Sequence, residues 1–436
     1  MKNEHELNVN PDRVIENECA ESRMMGDWAP EITRREFVKA GFTLVAVGLV
    51  APPWLATLAH AETSRTLNGL APANDRILVV LQLTGGNDGL NTVIPYSNSS
   101  YYRLRQNLAI RENTVIKLDD RVGLHPALTG LKDLFDQKKV AILQGVGYPN
   151  PNRSHFRSME IWQTADPDGY QKYGWLGKYL DTLGDAATNP VLSVSLTQEK
   201  PQALNAGIAS VPCFASLGDL QALTGDAALA ETMMALTHSA NKGDNPANLI
   251  KRSTRSALEA IEKLRVAMRN YQSDVTYGAD PFGRGLQQAA QLIAASPATK
   301  VIYVSVNGFD THAAQARTHE NLLRNFGNAL KTFEEDLAKM NKSDKVMTLV
   351  FSEFGRRAAE NGSAGTDHGA AGPMFLMGGK VKGGFYGDHP SLDSLDRGDL
   401  KYQIDFRSVY ATALEWLGAD AEKLIGKAFK PVNVFG

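Results

Sequence analysis

Short apolar runs rich in β-branched residues alternate along this chain with longer stretches whose apolar positions recur at helical spacing. Residues 76–83 form the first such run, and Thr84-Gly85-Gly86 ends it, which predicts a buried strand. The same pattern predicts strands over 140–145, 191–196, 211–216, 300–306, 346–351 and 373–377. Leu128, Leu131, Leu134 and Phe135 share one face of a helix within 126–139. Further helices are predicted over 154–164, with Ser154 as N-cap, and over 231–236, 248–271, 283–295, 313–340 and 406–417. Strands alternating with helices predict an α/β fold. Its sheet is mostly parallel and doubly wound, with helices on both faces. Segment 166–245 and the stretch after Gly355 read as insertions that build the rim of a cleft.

The N-terminal region has its own pattern. An acidic, apolar-poor stretch precedes Thr33-Arg34-Arg35-Glu36-Phe37-Val38-Lys39, an apolar run over 40–50 follows, and Ala59-His60-Ala61 offers small residues for cleavage. This is the order of a twin-arginine export signal, cleaved near Ala61. Pro52-Pro53 interrupts the run, so it falls short of the roughly 20 residues a span needs. Residues 62–436 then form a single domain that meets the twin-arginine export machinery and works in the periplasm or outside the cell, with no stable membrane span. An uncleaved anchor is the competing reading.

The 436-residue chain has a formal net charge of −2, so no electrostatic case exists for a nucleic-acid partner. Its two cysteines are Cys19, before the cleavage site, and Cys213. The mature chain therefore has neither an internal disulfide nor a zinc-thiolate site. Any metal must be held by oxygen and imidazole.

Three of the predicted strands are followed at once by acidic residues. These are Asp88 after 76–83, Asp310 with His312 after 300–306, and Glu353 after 346–351. Asp367-His368 lies in a glycine-rich loop that can fold back over the same edge. In a doubly wound sheet the carboxyl ends of the strands open onto one ligand-binding rim. Carboxylates crowded there repel one another, and a divalent cation with imidazole ligands resolves the conflict. Each piece also has a duller explanation. Asp88 can cap a helix, Asp310 can form an Asx-turn, Glu353 can pair with Arg356 or Arg357, and Asp367-His368 can be a loop hydrogen bond. The segment Asn152-Arg153-Ser154-His155-Phe156-Arg157 follows the strand at 140–145 and so reaches the same rim. Ser154 at a helix start, between Arg153 and Arg157, is placed to hold an anion or serve as a nucleophile; an ordinary serine cap is the alternative.

Together, the motifs around Asn87-Asp88, Asn152-Arg153-Ser154-His155, Phe309-Asp310-Thr311-His312, Ser352-Glu353-Phe354 and Thr366-Asp367-His368-Gly369 resemble the exported bacterial family called domain of unknown function 1501. That family is distantly similar to the alkaline phosphatase and sulfatase superfamily. The resemblance implies an alkaline-phosphatase-like fold, a metal-binding Asp88, a nucleophilic Ser154, and ligand roles for Asp310, His312, Glu353 and His368. Phe354 stands where the superfamily places a ligand imidazole, so one of its two metal sites is incomplete unless His155 or Asp367 substitutes. The implied function is hydrolysis of a phosphate or sulfate ester, with a divalent ion (Zn, Ca, Mg or Mn) and with Arg153 and Arg157 clamping the anion. The rival is a non-catalytic protein that keeps the fold and binds an anionic glycan or a partner.

Overall fold

A computed structural model describes residues 74–186, 189–216, 262, 265, 266 and 268–435. The export signal, the helix expected at 231–236 and most of the one expected at 248–271 lie outside the described residues.

β1 (Ile77–Thr84) is followed by three two-residue strands, β2 (Val93–Ile94), β3 (Ile116–Lys117) and β4 (Gly123–Leu124), which pair antiparallel in a small sheet of their own. β5 (Val140–Gly147), β6 (Ser193–Leu196), β7 (Val301–Asn307), β8 (Val346–Phe351), β9 (Gly372–Gly378), β10 (Gly384–Tyr386) and β11 (Ile404–Asp405) join β1 in the main sheet. Its order is β10-β5-β9-β8-β1-β7-β6, with β11 beside β5. Every pairing in it is parallel except the two made by β9. The α/β architecture and the mostly parallel sheet are therefore as the strand and helix alternation predicts.

The expected strand at 211–216 is reduced to a single bridge between Ser195 and Cys213. Pro212 has no N–H to give a ladder, and only its carbonyl is used, by the Ser195 N–H. Within segment 166–245, β6 adds to the sheet edge. The short helix α4 (Trp175–Leu180) packs Trp175, Leu176, Tyr179 and Leu180 into the main core.

The other helices are α1 (Ser99–Leu104), α2 (Thr129–Asp136), α3 (His155–Thr164), α5 (Pro281–Ala295), α6 (Gln315–Lys339), α7 (Phe406–Trp416) and α8 (Ala421–Ile425). Leu78 and Val80 of β1 join one core cluster with residues of α3, α4 and α7. Val304 of β7 instead lies against Gly285 of α5 on the opposite face, as the two-residue period of a strand requires. In the first cluster Trp162 of α3 stacks on Phe406 at 4.4 Å between ring centroids, and Trp175 stacks on Tyr410 at 4.2 Å. Trp162 thus holds the C-terminal half of α3, and Ser158, which donates to the Glu353 carbonyl, holds it nearer its first residue, His155.

β1 sits between β7 and β8. Thr84 pairs with Asn307 and Gln82 with Phe351, so the three strands end together. The loops that leave them touch directly. A Cβ at Gly85 (φ +119°) would meet the Asp310 nitrogen at 2.3 Å, and one at Gly86 (φ +85°) would meet the Phe354 ring at 2.3 Å. Only glycine allows both this backbone conformation and this approach.

His319 of α6 is buried and donates from Nε2 to Asn87 Oδ1 at 3.0 Å. Burial lowers its pKa to about 4. The unfolded chain binds a proton there near pH 6.5, whereas the folded one stays neutral until about pH 4. Stability from this group is thus complete above pH 6.5 and falls as pH drops through that window, by about 3 kcal/mol in full. Urea unfolding between pH 7 and 4 should show this slope, and His319→Gln should reduce it, the remainder coming from His125, which burial also lowers to about 4.

Candidate metal centre

Three loop segments and one helix start deliver the site. Asp310 and His312 follow β7, Glu353 follows β8, His368 lies just before β9, and His155 is the first residue of α3. Atoms of His155, Asp310 and His368 lie within 4.8 Å of one another. His312 joins them, its Nε2 being 3.0 Å from Asp310 Oδ1 and 2.8 Å from His368 Nε2. His155 Nε2 is 3.4 Å from Asp310 Oδ2, and His368 Nε2 is 3.2 Å from Asp310 Oδ1. The cluster opens to solvent, with the Asp310 side chain 48% exposed and that of His312 45% exposed.

The far nitrogen of each imidazole is held by an acceptor. His155 Nδ1 meets Glu353 Oε1 at 3.0 Å, His312 Nδ1 meets Asp367 Oδ1 at 3.4 Å, and His368 Nδ1 meets the Arg153 carbonyl at 2.7 Å. A carbonyl or carboxylate only accepts, so each Nδ1 donates outward and each Nε2 faces the cluster. Two of those nitrogens, on His312 and His368, approach each other to 2.8 Å. The third, on His155, is buried without a hydrogen-bond partner. Nitrogens and a carboxylate drawn this close together need a proton or a metal cation between them. The residues present therefore fit a metal ion. Three imidazoles backed by carboxylate or carbonyl acceptors, plus one carboxylate, form a ligand shell with its supporting layer.

The electrostatics agree. Burial works against ionising Asp310, but hydrogen bonds from Arg356 and His368 outweigh it and hold its pKa down at about 2. His368 is lowered chiefly by burial, which favours the neutral imidazole. The Glu353 hydrogen bond raises His155. Glu353 itself is buried and also accepts the Gly85 N–H at 2.8 Å. Arg356 pairs with Asp310, not with Glu353. Phe354 packs its ring 4.9 Å from that of His155 and 4.5 Å from that of His368.

Three expected participants are placed elsewhere. Asp88 does not join this cluster. It caps a short turn at Gly89–Asn91 through Oδ1 and makes a fully buried pair with Arg105 at 2.5 Å through Oδ2, to which Gln315 also donates. A carboxylate at a strand end is free for a metal only if no cation reaches it first, and Arg105 does. Arg153 pairs with Asp399, and Arg157 with Glu160 and the carbonyls of Pro167 and Gly169. Ser154 is exposed and is the N-cap of α3, although its side chain makes no cap hydrogen bond. Arg356 and Arg105 were not singled out from sequence as the buried anchors they are.

The family described as "Protein of unknown function (DUF1501)" matches residues 75–430. The chain belongs to the DUF1501 family. No curated protein shows a significant match. Among solved structures, this DUF1501 chain is similar to a protein in the alkaline phosphatase superfamily from Vibrio parahaemolyticus. They are 11% identical over 86% of this chain and 77% of that one, with a TM-score of 0.33. It is also similar to the zinc complex of the C-terminal periplasmic domain of EcEptC from Escherichia coli. Here identity is 11% over 84% and 92% of the two chains, with a TM-score of 0.40. The PsFucS1 sulfatase from Pseudoalteromonas sp. is 10% identical over 87% and 75%, with a TM-score of 0.37. No helix among the described residues of the DUF1501 chain is long and apolar enough to cross a membrane.

Titration of metal-free protein with Zn²⁺ should show one ion per chain. His155→Ala should abolish that binding. Glu353→Gln should weaken it roughly 10–100-fold without changing the stoichiometry. Unaltered affinity in both variants would place the ion elsewhere.

Proposed function

We propose that this DUF1501 protein is an exported, metal-dependent hydrolase of phosphate or sulfate esters. The observation that supports it most is the inward turn of three imidazole Nε2 atoms onto Asp310 in a solvent-open site. His155, Asp310, His312 and His368 would hold one ion. Glu353 and Asp367 would orient two of the rings. A donor set of imidazoles with a single carboxylate suits zinc better than calcium or magnesium, which prefer oxygen shells. A bound zinc supplies a Lewis acid for an ester oxygen and lowers the pKa of a coordinated water.

The chain contributes the rest. Ser154 precedes the first residue of α3, where free backbone N–H groups and the helix dipole favour an anionic ester group. Its hydroxyl is not spent on capping, so it is available as nucleophile or as a donor to the ester. Phe354 gives the imidazoles an apolar wall. Arg356 keeps Asp310 ionised. The twin-arginine motif supports export by the route that carries folded proteins, which would let the ion load before transport.

A second reading is favoured by one observation. Arg153 and Arg157 are committed to other partners, which suits a binding protein that keeps the fold without the chemistry.

Protein recovered from its own export route should contain zinc and turn over an aryl phosphate or aryl sulfate. Ser154→Ala should lower kcat at least 100-fold. Because Ser154 makes no cap bond, the usual cost of about 1 kcal/mol for losing a cap should be absent and Tm unchanged. Zinc without turnover of any such ester would leave the binding-protein reading.

A further inference from the structure

Beside the histidine cluster lies a cleft of about 710 Å³, within the range of roughly 300–1,000 Å³ in which small-molecule sites fall. The cluster and the cleft share a wall. Arg153 accepts the His368 Nδ1–H at its carbonyl and lines the cleft with its side chain, and Ala370, two residues beyond His368, lines it too.

The lining is polar without being a field of one sign. Arg153 pairs with Asp399, Arg397 lies 3.5 Å from Asp396, and Lys401 donates to Ser394 at 2.9 Å. Of the three lining cations only Lys401 is held by a hydroxyl rather than a carboxylate, so a second anionic group would meet a single unmatched charge. Neutral hydroxyls instead need donors and acceptors side by side, which these pairs together with Asn150 and Gln403 offer.

Aromatic faces complete the picture. Tyr402, 40% exposed, and the largely buried Tyr148 line the cleft. An exposed tyrosine ring in a cleft offers a flat apolar face beside a polar hydroxyl. A pyranose ring presents an apolar C–H face and a rim of hydroxyls, matching an aromatic platform set among paired polar groups.

We propose that this cleft binds the sugar part of an ester whose anionic group lies at the histidine cluster. The ester half of the statement rests on the function proposed above; the sugar half stands on the cleft alone.

Saturation-transfer NMR with the neutral disaccharides cellobiose, lactose and chitobiose separates the two. At least one should bind wild-type protein. It should bind His155→Ala equally well, because that variant leaves the cleft intact. Tyr402→Ala should weaken binding at least tenfold. Tyr402 also packs against Gly147, so Lys401→Ala, an exposed position, is the second probe and should weaken binding at least threefold. The proposal is overturned if none of the three disaccharides binds wild-type protein, or if both cleft variants bind as wild type does. Disaccharide binding without turnover of any aryl ester would sink the hydrolase reading and leave the sugar site standing.

Discussion

Arg356 holds together the loops from which the site is made. It is buried, and its guanidinium donates to the carbonyls of Gly85, Gly86, Phe309 and Thr366 and to Asp310 Oδ1. Those acceptors lie in the loop after β1, the loop after β7 and the glycine-rich loop before β9. A buried charge is tolerable only when its donors are satisfied, so these loops are bound to one geometry. Losing the guanidinium would orphan four buried carbonyls and remove the cation that keeps Asp310 ionised. Arg105 does the same for the neighbouring layer. It pairs with Asp88 and donates to the carbonyls of Arg357 and Ala358. Gln315 connects the two layers, donating to Asp88 while it accepts from Thr311 and Thr366.

This arrangement explains why one carboxylate became the focus of the cluster and another did not. Asp88 and Asp310 both follow central strands, and each meets an arginine. Asp88 is fully buried, so its pairing with Arg105 has no competition from water and leaves no room for further ligands. Asp310 is half exposed, so it can accept from Arg356 on the protein side and still present oxygen toward three imidazoles on the solvent side. Burial depth, rather than residue type, separates a structural ion pair from a candidate ligand here.

Much of this was legible in the sequence, and the rest was hidden for identifiable reasons. β1, β7 and β8 announce themselves because strands buried on both faces need continuous apolar runs, and their ends locate Asp310, His312 and Glu353. The small strands β2, β3 and β4 span two residues each and are too short to carry a period. An apolar run has no arrow, so the antiparallel insertion of β9 could not be read from Pro373 to Met377. The partners of charged residues were equally invisible. Arg153 meets an aspartate 246 positions away, and nothing in the spacing of either residue points to the other. His155 was readable only as one of two candidates to fill the place vacated at Phe354.

Phe354 itself shows how a departure from a pattern can be constructive. An imidazole at that position would add another nitrogen to a rim where several already converge. The phenyl ring instead packs against His155 and His368, and Gly86 gives up its Cβ to let the ring lie there. Rings packed against an apolar wall lose rotamer freedom before any ligand arrives, so the ordering entropy of the imidazoles is met during folding rather than on binding. The same ring limits the water that can reach the inner face of the cluster, where Glu353 lies, and thereby strengthens the hydrogen bond that fixes the His155 tautomer. A phenyl wall at this position thus holds His155 and His368 in place without bringing a further nitrogen to the rim.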